Sequence, residues 1–222
     1  MRLKLIDSLR TKWKGLLDNI VLQNDTKQYF EGTQNIHIII SSGVQAELEF
    51  DLEGKKDIIV TDKENSVYKG SIKSKKKQGT FKHVIILEGE HAEAHFFARL
   101  HCKDSEISDL DIIQLHSAAH TTSTVNIRSI LEGNSHSLYQ GLITIEKSAF
   151  NVSAHQENKV LIVSRAAKAI SIPKLQVLNN DVQCGHGSAI SHLDDEHIFY
   201  LVSRGIAQNR AKKIAIKAFL VE

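Results

Sequence analysis

The segment Asp181-Val182-Gln183-Cys184-Gly185-His186-Gly187 carries the residue types with the most chemistry to offer. In an extended chain, side chains two apart share a face, so Cys184 and His186 point the same way. A thiolate beside an imidazole suits a soft metal centre. Two ligands are half of a closed tetrahedral site, so the rest would have to come from elsewhere, a second chain included. Gly185 and Gly187 allow backbone or a cluster to approach closely. The competing reading of the same spacing is a buried cysteine beside a hydrogen-bonded histidine.

Histidine is abundant, with 12 in the chain. His91 and His95 are four apart, as are His116 and His120. That spacing chelates on a helix, but on a strand it separates the pair by roughly 13 Å. Both pairs fall in segments that read as strand, which disfavours zinc. His91-Ala92-Glu93-Ala94-His95 also lacks the order of a zincin motif, in which Glu directly follows the first His. The sequence shows no phosphate-binding loop, no dinucleotide fingerprint, no nucleophile elbow and no catalytic triad. Lys73 to Lys77 hold four lysines and a serine, either an anion-binding patch or a solvated loop.

The elements that would position these residues are short strands. From Asn35 to about Ser191, β-branched or alternating runs succeed one another, among them Val44–Phe50, Ala92–Leu100, Thr122–Leu131, Leu138–Ile145, Asn151–His155, Val160–Ser164 and Leu175–Leu178. Turn formers such as Ser42-Gly43, Glu53-Gly54 and Gly133-Asn134 separate them. The pattern predicts an all-β body over 35–191, a sandwich, barrel or solenoid, with no strict repeat of 20–30 residues. Residues 1–24 read as a helical segment: Leu5, Leu9, Trp13, Leu16, Leu17 and Ile20 fall at helical intervals. Asp7 and Asp18 argue against an organelle presequence. Residues 192–222 read as a helical hairpin, with Ser191 and Asp194 as a capping pair, Gly205 as the stop, and a second stripe of Ala211, Ile214, Ala215, Ala218 and Phe219.

Composition narrows the classes further. The 222 residues are enough for one domain with a sizeable core. Twenty-eight basic against 26 acidic residues leave a formal charge of +2, too balanced to favour nucleic acid. This also weighs against reading the terminal hairpin as a helix-turn-helix. No apolar run reaches the roughly 18 residues of a membrane span. Two cysteines without a secretory leader predict a cytoplasmic protein.

Several motifs then occur in a recognisable order: Gly141-Leu142-Ile143-Thr144-Ile145, Ala154-His155-Gln156-Glu157-Asn158, Ala169-Ile170-Ser171-Ile172-Pro173-Lys174, Asp181 to Ser188, and Phe199-Tyr200-Leu201-Val202-Ser203-Arg204-Gly205. Together they resemble the core of the SufB/SufD family from about Leu110 to Glu222, whereas 23–90 match it poorly. The resemblance implies a right-handed parallel β-helix with an N-terminal helix and a C-terminal helical hairpin. It also implies a place in the SUF machinery for iron–sulfur cluster assembly. Family members commonly run near twice this length.

The Cys-x-His-Gly form is similar to SufD, because SufB-like chains carry Glu after that histidine and further cysteines. The resemblance makes His186 a candidate ligand of a transient iron–sulfur cluster at a subunit interface, with Cys184 beside it. The implied partners are a SufC-type ATPase, docked through Ile198, Phe199, Ile214 and Phe219, and a SufB-like paralogue or a second copy of this chain. The chain is then a non-catalytic scaffold, and whether reduced flavin takes part stays open. A β-helix enzyme acting on polysaccharide needs paired acids in a groove, yet Asp109, Asp111, Glu132 and Glu146 form no evident set. A stand-alone metal buffer using the histidines is the third reading.

Overall fold

Alternation of apolar and polar residues gives each strand one face for an interior and one for the outside. In Glu93–Cys102, for example, Ala94, Phe96, Ala98 and Leu100 are buried while the residues between them are not. The computed structural model describes residues 18–32, 36–52, 56–73 and 78–221. Its strands are β1 (Asp18–Leu22), β2 (Thr26–Gly32), β3 (Ile36–Ile40), β4 (Gln45–Leu52), β5 (Lys56–Asp62), β6 (Val67–Lys73), β7 (Gln78–Leu87), β8 (Glu93–Cys102), β9 (Ile107–His116), β10 (Thr122–Leu131), β11 (His136–Ile145), β12 (Val152–Ile162), β13 (Lys168–Val177) and β14 (Val182–His192). Two helices follow, α1 (Asp195–Ser203) and α2 (Gln208–Val221).

Odd-numbered strands form one seven-stranded sheet and even-numbered strands another. Each strand pairs in parallel with the strand two along in the chain, as β10 does with β8 and β12. The chain therefore winds as a parallel β-helix, each rung giving one strand to each sheet. Side chains from both sheets fill the interior, with Leu48, Phe50, Tyr68, Phe96, Leu110 and Ile127 in one continuous apolar cluster. Among the described residues no helix is long and apolar enough to cross a membrane.

Left-handed residues mark one corner of successive rungs: Gly43, Asn65, His91, His120 and Asn151 all have positive φ. Gly43 N donates to Glu64 O in the next rung, Asn65 N to Glu90 O, and His120 N to Phe150 O. This stacking satisfies turn backbone that strand pairing leaves over. It also explains part of the histidine excess. His91 lies on His120 with centroids 4.9 Å apart and planes 12° apart, and Asn151 Nδ2 donates to His120 Nδ1 at 2.7 Å. The histidines thus group by rung rather than by the spacing of four, and His91 and His120 occupy turns, not strands.

Several polar side chains inside the helix are paired with one another. Gln114 Nε2 donates to Ser123 Oγ at 2.6 Å. Ser123 Oγ meets His116 Nε2, and His116 Nδ1 meets Thr121 Oγ1, each at 2.7 Å. A neutral imidazole completes this chain: Ser123 donates to Nε2, Nδ1–H donates to Thr121, and Thr121 donates to Ala118 O. Tyr68 Oη meets His83 Nε2 at 3.1 Å, and the His83 ring stacks on Phe96 at 4.4 Å.

Asp62 is buried with them, its Oδ1 accepting from Ser66 Oγ and its Oδ2 unpartnered among the described residues. Burial holds this carboxyl well above the usual carboxylate range. A raised folded-state pKa contributes stability below the unfolded value and loses it as pH rises. Asp62→Asn is therefore expected to raise the thermal midpoint at pH 7. The gap to the native chain should close towards about pH 4, where the unfolded carboxyl also holds its proton. A gap independent of pH in thermal unfolding would sink this assignment.

Three expectations are corrected. Asp18–Leu22 is strand, paired with Ile36–Ile40, so the expected N-terminal helix does not include it and the β-helix begins before residue 35. The β-branched pair Ile20-Val21 suits a pleated rung; the earlier part of that helix, 1–17, lies outside the described residues. Asn151–His155 and Val160–Ser164 are one strand, β12. The cap of α1 is Asp194 alone, whose carboxylate accepts from Glu196 N at 2.8 Å, because Ser191 is still in β14 and donates to Val160 O. Gly205 does end α1, with φ +85 and the paired bonds Gly205 N to Val202 O and Ile206 N to Leu201 O. The lysine tract 74–77 lies outside the described residues.

Candidate functional site

Among the described residues β13 and β14 each pair with one neighbour, so the last described rung is an open end. Pro173, the one proline of the chain, sits in β13, where a missing donor is tolerable at an edge. Register fixes what the open end presents. Cys184 stands opposite Ala154 and His186 opposite Gln156, and both Ala154 and Gln156 are interior residues. Cys184 and His186 therefore share a face, as their spacing predicts, and it is the face that continues the interior. Cys184 is half-buried against a cluster that includes Ile143, Ile145, Val152 and Ala154, and His186 is exposed. Gly185 and Gly187 fall on the opposite, outer face, beside His155 and Glu157.

Sequence spacing missed the layer beneath. Tyr139 Oη donates to Gln156 Oε1 at 3.1 Å across the interior. Gly141 makes room for that contact, since a Cβ there would lie 2.5 Å from Tyr139 Oη and 2.8 Å from its Cζ. Tyr68 and Gly70 repeat the device, with Tyr68 Oη lying where a Gly70 Cβ would go. Beside Gln156, Asn158 Nδ2 donates to Ser171 Oγ at 3.0 Å, and Ser188 Oγ donates to Ser171 Oγ at 2.8 Å. Gln156 Nε2 and Asn158 Oδ1 have no partner among the described residues. The Tyr-x-Gly pair is the one local signal that could have marked this layer.

Among the described residues, no three His, Cys, Asp or Glu side chains converge as a metal site. Cys184 and His186 are a candidate pair of soft-metal donors on one face of the last described rung. Cys102 is a different kind of thiol: burial pushes it up to about 11, which leaves it protonated and inert at neutral pH.

The terminal helices separate the four expected docking residues. Ile198 is 5% exposed and belongs to the interior of the hairpin. Phe219 packs with Ile216 and Leu220 against Ile130 and Leu161, and the Arg128 guanidinium lies 5.7 Å from its ring centroid. Arg99 Nε donates to Leu220 O at 2.7 Å and Arg128 Nη1 to Phe219 O at 2.9 Å. Two guanidinium groups thus satisfy carbonyls that the end of α2 leaves open, where positive charge also complements the helix dipole. Ile198 and Phe219 hold the hairpin together and onto the β-helix. By contrast, Phe199 is 74% exposed and Ile214 40%, with Tyr200 and Val202 also exposed.

The family model described as "SUF system FeS cluster assembly, SufBD core domain" matches residues 53–219. The match begins well before Leu110, so the strands from β5 onward belong to it as much as the later motifs do. The chain is similar to iron–sulfur cluster assembly protein SufD of Escherichia coli, 29% identical over 136 residues, which is 61% of this chain and 32% of that protein. It is similar to an iron–sulfur cluster assembly SufBD family protein of Mycobacterium leprae, 25% identical over 136 residues, covering 61% of this chain and 16% of the relative. A SufBD family protein of Staphylococcus epidermidis is 25% identical over 135 residues, covering 61% and 29%. The matched stretch thus spans a third or less of each of these relatives.

Proposed function

The chain belongs to the SufBD core-domain family, and on that premise we propose that it is a scaffold subunit for iron–sulfur cluster assembly, with iron and sulfide as its cargo. The observation that carries this reading is the Cys184 and His186 pair on a terminal rung that is paired on one side. A closed four-ligand site retains its metal, whereas a site shared between chains can release what it holds. The surrounding surface suits such sharing. Ile170, Ile172, Leu175, Val177, Leu178 and Ile190 are exposed around the same end, and exposed apolar groups of this density mark an interaction surface. Two unpaired strand edges add backbone donors and acceptors. A SufB-like paralogue is the proposed occupant, and a second copy of this chain is the alternative outcome.

The second proposed contact is with a SufC-type ATPase, through the exposed side of the hairpin. Phe199 is the anchor of that surface, supported by Tyr200, Val202 and Ile214. Ile198 and Phe219 are excluded from it by their packing.

Anaerobic co-purification with the ATPase and the SufB-like paralogue, with iron and sulfide assayed in the complex, tests both contacts. A complex containing all three chains and bound iron and sulfide is expected. Phe199→Asp with Ile214→Asp is expected to weaken ATPase capture about 30-fold or more, as loss of a central aromatic anchor does. Unchanged capture would overturn the docking assignment. A chain that recruits neither partner and holds no iron would overturn the scaffold reading.

A further inference from the structure

We propose that the Gln156 side-chain amide is a hydrogen-bond donor to the cargo held at Cys184 and His186, directed there by Tyr139. This inference rests on the scaffold reading above and adds to it a residue that spacing does not mark.

Four observations converge on Gln156. Its side chain is fully buried, at 0% exposure. Its Oε1 is occupied by Tyr139 Oη at 3.1 Å, which fixes the amide and leaves both Nε2 hydrogens to be used elsewhere. Nε2 has no partner among the described residues. In the register, Gln156 lies directly across from His186 in the rung beneath the open end. Its neighbour Gly141 is what lets Tyr139 reach across, because any Cβ there would collide with the tyrosine.

A buried donor without an acceptor costs free energy, and a leucine here with phenylalanine at 139 would avoid that cost. The cost is recovered when an acceptor arrives. Sulfide or thiolate sulfur bound to iron is such an acceptor: it carries negative charge, and hydrogen bonds to cluster sulfurs tune how such clusters are held. Other buried polar atoms also lack partners, Gln114 Oε1 and Thr144 Oγ1 among them. Neither pairs in register with β14, whereas Gln156 pairs with a candidate ligand.

The test uses the complex with the SufB-like partner and ATPase, loaded anaerobically with ferrous iron and sulfide and challenged with a ferrous chelator. Two readouts are taken: the rate of iron release from the complex, and the thermal midpoint of the metal-free chain. Gln156→Leu, made together with Tyr139→Phe so that no tyrosine hydroxyl is stranded in the interior, is expected to release iron roughly tenfold faster, the effect of one lost hydrogen bond, while leaving the midpoint unchanged or higher. Gln156→Met with Tyr139→Phe fills a similar volume with a flexible side chain that carries no donor. It is expected to release iron at least as fast, and it decides the matter if the leucine variant fails to fold.

His186→Ala is the control. If it speeds release while both Gln156 variants behave as the native chain, the inference fails and the scaffold reading stands. Faster release that comes only with a lowered midpoint in both Gln156 variants means a structural role and also overturns it. If His186→Ala itself leaves release unchanged, the site reading fails and takes the inference with it.

Discussion

Lowering the pH from about 6.5 to about 4.5 is expected to remove roughly 5 kcal/mol of stability through two interior histidines. His83 and His116 are buried and neutral, and burial lowers each from the ordinary histidine value to about 3. A folded-state pKa below the unfolded one means that the unfolded chain takes up protons first. The stabilisation is present above the unfolded pKa and is lost as pH falls towards about 3. The slope is about 1.4 kcal/mol per pH unit for each histidine. Set against a total of about 5–15 kcal/mol for a typical domain, this is enough to unfold the chain under mild acid.

The local chemistry agrees with that direction. Protonating His116 turns Nε2 into a donor facing Ser123 Oγ, which already accepts from Gln114, and the interior chain of donors loses its order. His83 stacks on Phe96 and lies against Tyr68 and Phe50, and its Nδ1 has no hydrogen-bond partner among the described residues. Urea midpoints measured across pH check this. His83→Phe and His116→Gln should each remove about half of the slope below pH 6.5, whatever they do to stability at neutral pH. Asp62 acts with the opposite sign, so the Asp62→Asn background should show the steeper acid loss. A native slope unchanged in both histidine variants would show that other groups carry it.

The second large effect is expected at Gly89. A Cβ there would overlap backbone atoms of Lys63 and Glu64 in the turn of the preceding rung. Those atoms have no room to retreat, because Glu88 N and Gly89 N both donate to Asp62 O, at 3.0 and 3.3 Å. Gly89→Ala is expected to cost about 3 kcal/mol, the upper end of ordinary overpacking, or roughly 6–12 °C in thermal midpoint for a chain of this size. Two other glycines calibrate it. Gly43 has φ +75 but open space around it, so alanine there meets backbone strain alone, about 1 kcal/mol. Gly185 has its nearest neighbour at 3.7 Å, so alanine should be tolerated. If Gly89→Ala melts no lower than Gly185→Ala, rung spacing is not set by this contact.

Alternation made the strands legible, but the rung period was not, and the pairings explain why. The step from one strand to its partner is 18 residues from Asp18 to Ile36 and 22 from Ile36 to Ile58. It is 29 from Ile107 to His136 and 32 from His136 to Lys168. A repeat whose length nearly doubles along the chain gives no fixed self-similarity. The same variation hid the histidine stack, since His91 and His120 meet only because a rung of that length separates them. Cys184 and His186 were visible because a strand puts residues two apart on one face. Tyr139 and Gln156 were not, because only winding brings two strands of one rung across from each other. The four residues expected to dock a partner read as one apolar set for a similar reason: periodicity marks a stripe without saying whether it meets solvent or, as for Ile198 and Phe219, the rest of the fold.

The one-sided pairing of β13 and β14 has a consequence for motion. In a solenoid each rung is held by its own contacts and by those it shares with its neighbours, so stability is close to a nearest-neighbour sum. The last rung lacks one of its two shared faces and should open more often than any interior rung, well before the molecule unfolds as a whole. Backbone amides of β14 would then exchange with solvent faster than those of β10 or β12. Whatever covers that end, subunit or cargo, closes the missing face and suppresses the opening. On the scaffold reading proposed above, capture at Cys184 and His186 and completion of the last rung would be one equilibrium, and the rung's flexibility would set how readily cargo enters and leaves.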